Sequence, residues 1–74
     1  MIEQLENITG LDWRECKESG QLVANGSNST YWVTIEKNGA LLIVEKIWSI
    51  MDKKFNTITA LTNHINNREF IHAN

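Results

Sequence analysis

The side chains best suited to acid-base, nucleophilic or metal chemistry in this chain are two histidines, one cysteine and nine carboxylates. Their spacing limits what they can do. His64 and His72 stand eight apart, with Asn66-Asn67 between them, and Cys16 is far upstream. No C-x2-C or H-x3-H pattern arises, so no metal site is expected and His64 reads as a surface residue of a helix. Cys16 and His64 could form a nucleophile and base only in direct contact, with a third group to orient them. A lone cysteine is ordinarily a small buried thiol, here one packed under Trp13. Glu36 and Glu45 share one face of a ribbon, diagonal through its register. Acid-base work by such a pair needs a pocket that shifts the two pKa values apart. On an edge ribbon they read instead as solvated groups that discourage strand addition. The glycines, at 10, 20, 26 and 39, are isolated, so no phosphate-cradling loop forms. No cofactor is implied, and the chain is not expected to be an enzyme.

The basic residues suggest a different chemistry. Lys53 and Lys54 precede a helix whose N-terminus would attract phosphate. Lys37 and Lys46 lie on the hairpin, with Tyr31, Trp32 and Trp48 as candidate stacking surfaces. Against this, the net charge is −2. Residues 1–20 hold five acids and two bases, and residues 21–74 hold four acids and five bases. Nucleic-acid binding normally shows a basic excess on one face, which makes it the alternative reading here.

The elements that must position these groups belong to a single domain, residues 1–74. A chain of 74 residues buries roughly 60% of its unfolded surface and is marginal on its own. One cysteine allows no internal disulfide, which leaves good packing or a partner chain as the route to stability. Hydrophobic content of 42% and charged content of 22% fit a globular domain. No apolar run is long enough to span a membrane. The acidic, interrupted start, MIEQLENITG, has no secretory pattern, so the cytoplasm is the expected compartment and Cys16 a reduced thiol. The N-x-[ST] matches at Asn7, Asn25 and Asn28 would then carry no glycan.

Residues 2–9 form a short helix with Ile2, Leu5 and Ile8 on one side and Gly10 as its stop. Asp12 followed by Glu15 has the spacing of a capping box and predicts a second short helix or turn over 13–19, ended by Gly20. Residues 21–25 are a possible first strand, and the polar run 25–30 a loop. The clearest strands are 31–37 and 40–48, joined by Asn38-Gly39, a strong hairpin signal because both central residues of the favoured turn need positive φ. Residues 49–54 read as a turn. The last helix is capped by Asn56 or Thr57, carries Ile58, Leu61 and Ile65 on one stripe, and ends at Asn66-Asn67. Phe70 and Ile71 follow as an extended tail against the sheet edge.

A two-residue loop at 38–39 places Glu36 opposite Leu41, Ile35 opposite Leu42 and Val33 opposite Val44. Alternation then puts Tyr31, Val33, Ile35, Leu42 and Val44 on one face and Trp32, Thr34, Glu36, Leu41, Ile43 and Glu45 on the other. A bend displaced by one residue is expected to exchange the two sides. The first face is a clean core. The second mixes three large apolar groups with two carboxylates. Burying a leucine or isoleucine contributes about 1.5–3 kcal/mol, so a wet second face forfeits stability and leaves an adhesive patch. Residues 2–20 could cover it, a second copy could pair with it, or another protein could dock there.

The helix-strand-strand-strand-helix order resembles that of the double-stranded-RNA-binding domain. That family carries a dense basic motif at the start of its last helix, whereas residues 57–66 here contain no lysine or arginine. Residues 8–20, ITGLDWRECKESG, resemble a helix-turn-helix, in an acidic version.

The expected fold is α+β: short N-terminal helices, a three-stranded antiparallel meander, and a C-terminal helix packed on one sheet face. The expected function is non-enzymatic protein binding, as a small inhibitor or adaptor in the style of phage and mobile-element proteins that docks on a larger host protein. Trp32, Leu41 and Ile43 would be the apolar anchors and Glu36 and Glu45 the charged rim. A homodimer through the same face is the related expectation. The alternative is nucleic-acid binding through Lys37, Lys53 and Lys54.

Overall fold

A computed structural model describes residues 1–70 of the chain. The order of elements is α1 (Ile2–Thr9), β1 (Arg14–Glu15), β2 (Leu22–Asn25), β3 (Thr30–Glu36), β4 (Gly39–Glu45), β5 (Ile50–Phe55) and α2 (Ile58–Arg68). The strands form one antiparallel meander in the order β1-β2-β3-β4-β5. The fold is thus α+β with the C-terminal helix on the sheet, as expected, but the sheet has five strands rather than three. No helix among the described residues is long and apolar enough to cross a membrane.

The two additional strands come from segments with misleading local signals. Arg14 and Glu15 pair with Val23 and Leu22, so the expected helix over 13–19 is instead a hairpin arm and a turn. Cys16 N–H donates to the Gln21 carbonyl and Gly20 N–H to the Cys16 carbonyl, both at 2.7 Å, which closes that hairpin. The capping-box spacing is overridden because Trp13 is buried and its indole N–H donates to Thr9 Oγ1 at 2.9 Å, committing the chain to leave α1 in an extended direction. Residues 49–54, expected to be a turn, are mostly β5. Its residues are almost all exposed, so it shows no apolar alternation, and its pairing along β4 defines it. The expected strand over 40–48 accordingly stops at Glu45.

Both helices pack on one face of the sheet. Leu5, Trp13, Leu61 and Ile65 meet Leu22, Ala24, Tyr31, Val33, Ala40, Leu42 and Val44 in a single core. α1 lies against α2, with Asn66 Nδ2 donating to the Ile8 carbonyl at 3.2 Å, and α2 lies on β4 and β5. Gly10 adopts φ 72° and donates to the Glu6 carbonyl, ending α1 as expected. Thr57 caps α2 by accepting from Ala60 N–H at 3.1 Å. The helix passes the Asn66-Asn67 pair expected to end it and stops at Arg68. Phe70 follows it at φ 56° and is exposed, not docked on the sheet edge, and Ile71 lies outside the described residues, as does His72.

The β3–β4 hairpin turns at Lys37-Asn38, one residue earlier than expected. Thr34 faces Leu41, Val33 faces Leu42, and Trp32 faces Ile43. Neither Lys37 nor Asn38 takes positive φ; Gly39, the first residue of β4, does so at 140°. The asparagine-glycine pair therefore supplies its flexible residue just after the bend, not at its centre. The expected exchange of faces does not follow. Moving the bend by one residue moves each cross-strand partner by two, and side chains two apart lie on the same side. Tyr31, Val33, Leu42 and Val44 are buried in the core as expected, whereas Ile35, expected with them, is 49% exposed next to the bend, beyond the reach of both helices; Trp32, Leu41 and Ile43 lie on the opposite face.

Candidate functional site

Because both helices lie on the core face, the other face of the sheet has no covering layer among the described residues. Its middle row runs across all five strands as Arg14, Val23, Trp32, Ile43 and Asp52. A second row holds Thr34, Leu41 and Lys54, with Gln21 Nε2 donating to Thr34 Oγ1 at 2.9 Å. A third row holds Asn25, Thr30, Glu45 and Ile50, with Thr30 Oγ1 donating to Asn25 Oδ1 at 3.1 Å. Trp32, Thr34, Leu41 and Ile43 are half-buried, and Val23 is only 2% exposed. These side chains shield one another, so the face is an apolar band with charged ends. Trp32 Nε1 points to Glu45 Oε1 at 3.5 Å, long for a hydrogen bond.

Glu36 and Glu45 do share this face, but they are not diagonal neighbours. Glu36 pairs with Gly39 and Glu45 with Thr30, at opposite ends of the β3–β4 ladder. With a rise of about 3.3 Å per residue they stand about 20 Å apart, too far to act as a carboxylate pair.

Among the described residues, the most exposed apolar groups lie at the β4–β5 bend, which the sequence reading did not single out as a surface cluster. Lys46 N–H donates to the Ser49 carbonyl at 2.8 Å, leaving Ile47 and Trp48 at the tip, 87% and 94% exposed. Ile50 and Met51 follow at 68% and 46%. The sequence reading places Ile47 and Trp48 at the end of a strand, with Trp48 as a candidate stacking surface, and Ile50 and Met51 in a turn. The available signal was the low apolar alternation of residues 49–54 directly after a strongly apolar strand. The tip stands beside the β2–β3 loop, and between them opens a cleft of about 700 Å³ lined by Asn25, Ser27, Asn28, Ile47 and Trp48.

The residues proposed for nucleic acid are dispersed. Lys37 sits in the β3–β4 bend, and Lys54 shares the open face with Leu41. Lys53 pairs with Leu42 on the other side of the sheet, 5.5 Å above the Phe55 ring. Tyr31, expected to be free for stacking, is fully buried, because its position on β3 alternates inward.

Tyr31 belongs to a second cluster not foreseen from the sequence. Its hydroxyl donates to Glu69 Oε2 at 2.5 Å, and Glu69 Oε1 accepts from Ser27 N–H at 2.8 Å. The carboxylate just after α2 thus holds the β2–β3 loop against the core. Burial and the adjoining Glu69 push the Tyr31 hydroxyl up to about 12. Burial pushes the Glu69 carboxyl up, but hydrogen bonds from Tyr31 and Ser27, with the Arg68 charge, outweigh it and hold its pKa below the ordinary value.

Cys16 and His64 have different neighbours. Cys16 is half-exposed, not packed away under Trp13, and its pKa is lowered chiefly by a hydrogen bond with Ser19. His64 is half-buried against Phe55, with ring centroids 5.3 Å apart. Burial, then the charges of Lys53 and Arg68, push its pKa down. Among the described residues, no three histidine, cysteine or carboxylate side chains gather as metal ligands.

No family model matches the chain, and no curated protein or solved structure matches it.

Proposed function

We propose that this chain is a non-enzymatic protein-binding module of the cytoplasm, a small inhibitor or adaptor of the phage or mobile-element type that docks on a larger host protein. The observation that carries the reading is the one-sided placement of both helices, which leaves Trp32, Leu41 and Ile43 with Val23 on an uncovered sheet face. Ile50 extends that surface toward the tip, where Ile47 and Trp48 stand in water. Aromatic and aliphatic groups with a charged border are the usual anatomy of an interface. Here Trp32, Leu41, Ile43 and Trp48 are the anchors, and Glu36 and Glu45 the rim.

The test is affinity capture from the native host with the immobilised chain, read by mass spectrometry. Wild-type protein is expected to retain a discrete partner. Ile43→Glu or Trp48→Ala should lose it while keeping the wild-type circular dichroism spectrum and a cooperative melt. A partner retained equally by all three proteins would remove these residues from the interface.

A further inference from the structure

We propose that the occupant of the open sheet face is a second copy of this chain, stacked face to face about a two-fold axis parallel to β3. The inference rests on the protein-binding reading and specifies its first partner: a weakly held second copy covers Trp32, Leu41 and Ile43 until a host protein displaces it. What carries it is the order of residues along the middle row: Arg14, Val23, Trp32, Ile43, Asp52. The row is apolar at its centre and oppositely charged at its two ends.

Symmetry makes that order decisive. In a two-fold interface, whatever residue i meets, its partner meets residue i in return. A rotation about an axis along β3 maps β1 onto β5 and β2 onto β4. Trp32 then lies on Trp32 of the second copy, Val23 on its Ile43, and Arg14 on its Asp52. Leu41 comes over Gln21, and Glu45 over Asn25. An axis laid across the strands would instead set Arg14 against Arg14 and Asp52 against Asp52. The charges therefore select one of the two face-to-face arrangements, and they act mainly on register, since exposed ion pairs contribute little energy. Glu36 lies on the axis and meets its own copy, so it opposes the association at the rim.

The five strands are two, four, seven, seven and six residues long; at about 3.3 Å by 4.8 Å per residue they give a face of roughly 400 Å² in flat area per copy. That is about half the roughly 800 Å² per partner of a standard interface and below the stable range, so only weak association is expected, in the range of about 10 μM to 1 mM. The same axis leaves both β4–β5 tips at one end of the dimer, where the two Trp48 side chains are free for a larger partner.

The experiment is sedimentation equilibrium of the full chain across that concentration range. Wild-type protein should show a monomer–dimer equilibrium. Arg14→Asp and Asp52→Arg should each weaken it about tenfold, by replacing two attractions with two repulsions. The double reversal should return the constant to near the wild-type value, and Glu36→Gln should tighten it. Within one chain Arg14 and Asp52 are four strands, about 19 Å, apart, so rescue reports contact between copies. A double variant no tighter than the single ones overturns the proposed register. Wild-type protein that stays monomeric at 1 mM overturns the dimer. If Ile43→Glu still abolishes capture of a host protein in that case, the protein-binding reading stands without it.

Discussion

The phenol of Tyr31 on β3 and the carboxylate of Glu69 just after α2 are joined by a 2.5 Å hydrogen bond across 38 positions of sequence. A fully buried aromatic ring thus delivers its only polar atom to a side chain that also holds the β2–β3 loop through Ser27. The pair ties strand, loop and helix end together, and both of its members titrate abnormally.

Stability should therefore fall at both extremes of pH. Tyr31 has a folded pKa raised from 10.0 to about 12. Its contribution is complete below pH 10 and is lost as pH rises from 10 through about 12. Glu69 has a folded pKa lowered from 4.5, so its contribution is present above pH 4.5 and is lost as pH falls through the folded value. Melting temperatures of wild-type and Tyr31→Phe protein across pH 3–12 check this. The phenylalanine variant should lose about 1–3 kcal/mol at pH 7 and lack the part of the alkaline decline that belongs to Tyr31. Parallel curves for the two proteins above pH 10 would rule out the assignment.

Thr9 should be worth more than an average threonine. Its hydroxyl donates to the Leu5 carbonyl at 2.7 Å and accepts from the Trp13 indole at 2.9 Å and from Leu11 N–H at 3.2 Å. Thr9→Val keeps the shape and leaves a buried indole N–H unpartnered, at a cost of about 1–3 kcal/mol. In a Trp13→Phe background the same change should cost less, because the orphaned donor is gone. Urea titration of the four proteins measures that difference, and equal costs in both backgrounds would show that the indole bond contributes nothing.

Two glycines with positive φ should respond differently to alanine. Gly10, at φ 72°, has open space where a Cβ would point, so Gly10→Ala costs only backbone strain, about 1 kcal/mol. At Gly39 a Cβ would run into the Phe55 carbonyl of β5, so Gly39→Ala must also push β5 away, and a loss above about 2 kcal/mol is expected. Chemical denaturation ranks the two variants. The reverse order would mean that the β4–β5 edge yields easily.

Nucleic acid should bind weakly or not at all. Lys53 and Lys54 alternate to opposite faces of β5, and Tyr31 is buried. A gel-shift titration with duplex RNA at low salt is expected to show no complex. A shift that fades steeply as salt rises would restore the nucleic-acid reading.

The periodicity of residues 30–45 was enough to place Tyr31, Val33, Leu42 and Val44 in the core, because alternation depends only on parity and survives a slipped bend, but not to show that Ile35, beside the bend, stays 49% exposed. The stop of α1 at Gly10, the cap at Thr57 and the stripe Ile58, Leu61, Ile65 were equally legible, each being a local preference of the backbone or of helical spacing. What lay beyond local reach was decided by contacts distant in sequence. Residues 14–15 and 50–55 are strands because β2 and β4 offer them hydrogen-bonding edges, which no pattern in their own residues announces. The partnership of Tyr31 with Glu69, the closing of α1 onto α2, and hence the bare second face of the sheet all follow from where two helices settle in space. Hydrophobic burial rewards covering either apolar face. Only the packed structure, with Trp13 held by Thr9 and Asn66 reaching the end of α1, selects one side for both helices.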